Sequence, residues 1–259
     1  MTTLNICLSV IVNKLIKFIV MRKILLLFVV ALLYVSSAKA DIYTFFNSSD
    51  DFFNKYVKDG RVSYVSVKRN FGEIESLYRE VGNMNLTGLD DNTRKAFYLN
   101  AYNIIVIYQV SKYYPLKSAL DQSGFFDKVR HKVAGENITL NELEIKKIVL
   151  KFKDPRIHFA LACAAVSCPE LASFAYQPSK IDEQLNARTV KAINDPAFIR
   201  IDQAQKQVNI SEIFKWYSKD FTSTGKTVLQ FINQYRNEPI PVNYTQGFYQ
   251  YDWRLNEQI

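Results

Sequence analysis

DNTRKAFYLNAYNIIVIYQVSKYYP, residues 91–115, is the stretch around which the rest of the chain must be arranged. Apolar side chains recur at helical spacing (Phe97, Ala101, Ile104, Ile105, Tyr108), and Pro115 ends the pattern because its ring cannot continue a helix. The reading is a central helix from Asp91 to Tyr114.

Moving toward the N-terminus, a helix running from Lys68 to Val81 is expected, preceded by an extended Val62-Ser63-Tyr64-Val65. Before that, Ser48 or Ser49 can cap a first helix toward Val57, with Asp50 and Asp51 in its first turn and Gly60 as its stop. Toward the C-terminus, Phe125 to Val133 reads as extended, and Thr139 with Glu142 forms a capping-box signature for a helix to Leu150. Ile157 to Val166 is apolar nearly throughout, and a buried strand is the expectation there. Lys180 to Ile193 is helical. Ile199 and Ile201 alternate against Val208 and Ile210 as a hairpin would. The sum is an α+β fold, with the central helix buried against a small, mainly antiparallel sheet.

The N-terminus has a different character. Met21-Arg22-Lys23, the apolar Ile24 to Val35 and the small-residue Ser36-Ser37-Ala38-Lys39-Ala40 have the three regions of a cleavable signal peptide, with cleavage expected after Ala40. Met21 lies where an ordinary signal peptide begins, so the true start is expected there; a membrane anchor built from two apolar segments is the alternative. Residues 41–259 are then one domain, since no Pro, Gly or Ser-rich linker and no repeat divides them. The expected location is periplasmic or secreted, with no stable membrane span after cleavage.

Residues 1–40 hold Lys14, Lys17, Arg22, Lys23 and Lys39 and no acid, so cleavage takes the net charge from +8 to +3. With both signs mixed along what remains and no dense basic run, no nucleic-acid footprint is visible. Cleavage also removes Cys7, leaving Cys163 and Cys168 in a compartment that permits disulfides.

Several strings resemble one family. Phe97-Tyr98-Leu99-Asn100-Ala101-Tyr102-Asn103, Val133-Ala134-Gly135 with Thr139-Leu140, Asp154-Pro155-Arg156-Ile157-His158-Phe159-Ala160-Leu161-Ala162-Cys163, and Ser167-Cys168-Pro169 are similar to the domain-of-unknown-function 547 family. Ile213-Phe214-Lys215-Trp216-Tyr217-Ser218-Lys219-Asp220-Phe221 and Tyr251-Asp252-Trp253-Arg254-Leu255-Asn256 look like it too. The resemblance implies no function, since the family is named for lacking one. Many members carry His after the Glu that matches Glu144; Ile145 stands here. The order of a central helix followed by a strand bearing His is also similar to a papain or transglutaminase scaffold, where the nucleophilic Cys begins the central helix. Asn100 and Asn103 occupy that helix instead, so this analogy implies a relocated nucleophile or a lost activity.

A thiol nucleophile needs a base, and His131 and His158 are the chain's imidazoles. His158 and Cys163 lie on opposite faces of a strand, or about 140° apart on a helix, so only a contact made by the fold could pair them. His131, between Arg130 and Lys132, reads as exposed. The alternative for Cys163 and Cys168 is a structural disulfide, which requires a turn between them. A metal site from His158, Cys163 and Cys168 has suitable ligand types but no recognised zinc spacing, and no cofactor or metal is implied.

Asn100 and Asn103 share one face of an apolar helix and must be hydrogen-bonded, either to loop backbone or to a bound molecule. Arg156 could orient an anionic group, or form a salt bridge to Asp154, Glu170 or Asp252. Trp216, Tyr217, Tyr251 and Trp253 could line a groove or fill the core.

Two readings follow. One is a thiol-hydrolase-like or transferase-like enzyme using a cysteine with His158, and Asn100, Asn103 and Arg156 for binding. The other is a non-catalytic envelope binding domain with bridged cysteines. Either would act on a small molecule or peptide. Asn100, Asn103, Arg156 and His158 are expected to converge; with a cysteine sulfur nearby in a concave pocket that would favour the enzyme, whereas separate placement would leave the binding domain.

Overall fold

The structure, a computed structural model, describes residues 21–23, 25 and 41–258. The leader, the cleavage site at Ala40 and Cys7 lie outside the described residues, apart from Met21, Arg22, Lys23 and Leu25.

Ile42, Phe45, Phe46, Phe52, Phe53 and Tyr56 are buried along one stripe of a helix over 41–56 (α1). Neither serine begins it: Ser49 is buried inside the helix, its hydroxyl donating to the Phe45 carbonyl at 2.7 Å. Strands Val57–Lys58 (β1) and Arg61–Val62 (β2) follow, turning through Asp59 and Gly60 at φ 49° and 74°, the paired positive values of a tight hairpin.

The expected extension over 62–65 stops at Val62. Tyr64–Arg69 is a helix (α2), since Tyr64 and Val67, three apart, both reach the core that way. Phe71–Asn83 (α3) completes what the sequence reads as one helix.

Asp91–Tyr113 (α4) is the central helix. Asp90 caps it, accepting from the Thr93 amide at 2.9 Å and the Thr93 hydroxyl at 2.7 Å. From Ala96 to Ser111 it is buried on nearly every face, packed by α2, α3 and the helix over 140–152.

Only the end of the expected 125–133 extension is strand: Arg130–Val133 (β3) pairs antiparallel with Glu136–Thr139 (β4). The capping box then forms as read, Thr139 and Glu142 each accepting the other's amide at 3.1 Å. The helix it starts comprises Leu140–Glu142 (α5), a π-helical Leu143–Val149 and Leu150–Phe152 (α6). The wider i→i+5 turn places Leu143 and Ile148, five apart, in the core, with Glu144 buried beside Leu143.

Ile157–Val166 is not a strand. Pro155–Phe159 forms a 3-10 turn and the chain to Cys168 is irregular. Its polar backbone is met from outside: Asn103 bonds Ala160 and Ala162, and the C-terminal segment bonds Ala164 and Val166.

Ile181–Asn194 (α7) is helical as read. Ile199–Asp202 (β5) and Gln207–Ile210 (β6) form the expected hairpin, with Ile199 opposite Ile210 and Ile201 opposite Val208. Thr245–Phe248 (β7) adds a parallel neighbour to β6. Ile213–Trp216 (α8), Ser218–Phe221 (α9) and Val228–Asn233 (α10) lie between.

The architecture is α+β, with small and mostly antiparallel sheets: two two-stranded and one three-stranded among the described residues. Helices, rather than a sheet, surround α4. One hydrophobic core gathers around α4; a second, rich in Phe, gathers around β5, β6 and the short helices. The terminal segment runs between them, Tyr251 lying in the second core and Leu255 in the first, with the Leu255 amide donating to the Lys117 carbonyl at 2.8 Å and the Asn256 amide to the Ala164 carbonyl at 3.0 Å. Among the described residues, no helix is long and apolar enough to cross a membrane.

Candidate functional site

At the seam between the two cores lies a cavity of about 280 Å³. Tyr102 of α4, Phe126 and Leu161 face it from one core; Ile213, Tyr251 and Cys168 face it from the other. Asn141, Glu144, His158, Cys163, Trp216, Tyr217 and Trp253 complete the wall.

Much of the wall is aromatic and continuous. The Tyr251 ring lies 4.9 Å from Trp216 and 4.8 Å from Trp253, and the two indoles stack at 6.0 Å and 25°. Trp216 is 45% exposed, so this wall reaches solvent and the cavity is open there. The sequence leaves groove and core as alternatives for these residues; the structure places them on the cavity.

Glu144 is the acidic group of the wall. The π turn carries it to the interior, where the Tyr217 hydroxyl donates to its carboxylate at 2.5 Å, and the Tyr102 phenol also lines the cavity. Burial first, and then the Glu144 charge, raise the pKa of both phenols, so both remain donors at neutral pH. No Lys or Arg lines the cavity.

His158 sits behind Tyr217, the rings 4.1 Å apart, and beside Phe221 at 5.3 Å. A carboxylate only accepts, so the His158 Nε2–H donates to Asp220 at 2.8 Å. Tyr217, the residue that caps α9, stands at i to Asp220 and Phe221 of the helix at i+3 and i+4, so the three meet one imidazole.

Cys163 and Cys168 have their sulfurs at disulfide distance, 2.22 Å, with Cα atoms 6.3 Å apart across the irregular turn. The Tyr251 hydroxyl lies 3.1 Å from one sulfur and 3.2 Å from the other. Among the described residues, no group of three or more His, Cys, Asp or Glu is placed to hold a metal ion.

The expected convergence does not occur. His158 lines the cavity with both sulfurs, but Asn100, Asn103 and Arg156 do not. Each Asn is spent on backbone: Asn100 bonds both polar groups of Tyr176 at 2.9 Å, and Asn103 donates to Ala160 and accepts from Ala162 at 2.9 and 3.0 Å. Arg156 donates twice to Asp154, at 2.9 and 2.8 Å, and twice to Asp182, to its carboxylate at 2.9 Å and its carbonyl at 3.4 Å, so its fork is occupied.

His131 is buried rather than exposed. Gln109 Nε2 donates to the Phe125 carbonyl, so Gln109 Oε1 accepts from the His131 Nε2–H at 2.8 Å, and Nδ1 accepts from the Tyr78 hydroxyl at 3.1 Å. Burial, aided by the charge of Lys112, pushes its pKa down to about 4.

The fold and cavity define an α+β domain with an aromatic-walled, acid-bearing pocket. Residues 86–191, less than half of the chain, match the family model described as "Protein of unknown function, DUF547", so this stretch is shared with that family. It supplies Tyr102, Phe126, Asn141, Glu144, His158, Leu161 and both cysteines of the wall, while Ile213, Trp216, Tyr217, Tyr251 and Trp253 lie beyond it. No curated protein and no solved structure matches the chain. The papain or transglutaminase analogy gains no counterpart from that comparison.

Proposed function

We propose that this is an exported, non-catalytic domain that binds a small molecule in the aromatic cavity, with Cys163 and Cys168 bridged as part of the wall. The observation that carries this reading is the cavity itself: a solvent-open, mainly apolar concavity with a few placed polar groups is the form small-molecule sites take. The pairing of the two sulfurs supports the absence of a nucleophile, since neither is then a thiolate.

One arrangement favours the enzyme reading: His158, oriented by Asp220, and both sulfurs line the same cavity. The two readings separate by trapping. Unreduced mature protein treated with iodoacetamide should gain no label, and a thermal-shift screen of small-molecule fragments should find compounds that stabilise it. Labelling of Cys163 or Cys168 without reductant would favour the thiol enzyme. Absence of any stabilising compound would remove the binding reading.

A further inference from the structure

The cavity's charge is one-sided. The Glu144 carboxylate is 7% exposed and stands among six aromatic rings. Glu144 accepts from the Tyr217 hydroxyl, but no Lys or Arg lines the cavity and no ion pair to it occurs among the described residues. The surrounding rings add to this field, because an aromatic face attracts a cation, and indoles do so most strongly. Trp216, Trp253, Tyr251, Tyr217, Tyr102 and Phe126 thus share with Glu144 a preference for positive charge. A neutral sugar would also stack on indoles, but it gains nothing from the carboxylate charge.

Resting on the binding reading above, we infer that the ligand is a small organic cation of the alkylammonium class. Its charged head lies against Glu144 and the rings, and its apolar remainder faces the Trp216 and Trp253 wall.

The test compares charge at constant shape. Choline and its uncharged isostere 3,3-dimethylbutan-1-ol, with benzylammonium and N-acetylglucosamine, are titrated into the wild-type mature protein by calorimetry at low salt. Binding of at least one of the two cations is expected, with choline at least tenfold tighter than its isostere if choline is the one bound. Glu144→Gln, close to isosteric, should weaken the cation at least tenfold while leaving the melting temperature near that of the wild type. Equal affinity for choline and the isostere, or preference for the sugar, overturns the cation inference while leaving small-molecule binding intact. Failure of both cations to bind also overturns it. The wild-type comparison decides the matter even if the variant does not fold.

Discussion

Asn100 and Asn103 work as clamps: each side chain satisfies an N–H and a C=O of a chain segment that no strand or helix supports. Truncating either leaves two buried backbone groups unpaired, so Asn100→Ala and Asn103→Ala should each destabilise the fold by about 2 to 5 kcal/mol, measured by urea unfolding. An effect below about 1 kcal/mol would mean that water replaces the amide. His131 gives a pH signature. Above pH 6.5 it is neutral in both the folded and the unfolded state; below, the unfolded chain takes up a proton that the folded chain refuses until about pH 4. Stability should therefore fall as pH drops across that window, by up to about 3 kcal/mol, and His131→Gln should flatten the dependence there. That these residues are buried and partnered was not visible in the sequence. Asn100 and Tyr176 are 76 positions apart, and His131 stands between Arg130 and Lys132, whose charges predict a surface.

Elements with local causes are legible. Helix α4 announces itself by spacing and by Pro115, the Thr139 and Glu142 box by reciprocal capping, and the β5–β6 hairpin by alternation. The apolar run from Ile157 to Val166 misleads because burial alone gives no period, and what holds it irregular is Asn103 and the distant terminal segment. The same limit hides Glu144, whose partner Tyr217 is 73 positions away and whose depth depends on a π turn no spacing rule predicts. Two element-scale outcomes follow. A Cβ on Gly60, at φ 74°, would come within 2.7 Å of the Glu170 side chain, so Gly60→Ala should cost more than about 1 kcal/mol in thermal or urea unfolding. Opening the short loop between Cys163 and Cys168 with a dithiol reductant should cost about 2 kcal/mol. No change on reduction would indicate that the sulfurs are not bridged in solution.

At the scale of the whole molecule, the account rests on two cores meeting at an aromatic cavity, joined to the proposal that the protein is exported. Export predicts that mature protein recovered from the envelope or medium begins at Asp41; an intact chain in the inner membrane would contradict it. The cavity offers a cleaner readout. The chain has two tryptophans, Trp216 and Trp253, and both line it. In a 15N-labelled sample the two indole N–H resonances therefore both report this site. Titration with the fragments that stabilise the protein should move both indole signals along one saturable curve. If stabilising compounds leave both indoles unmoved and shift resonances elsewhere, the cavity is not the binding site and the central claim fails.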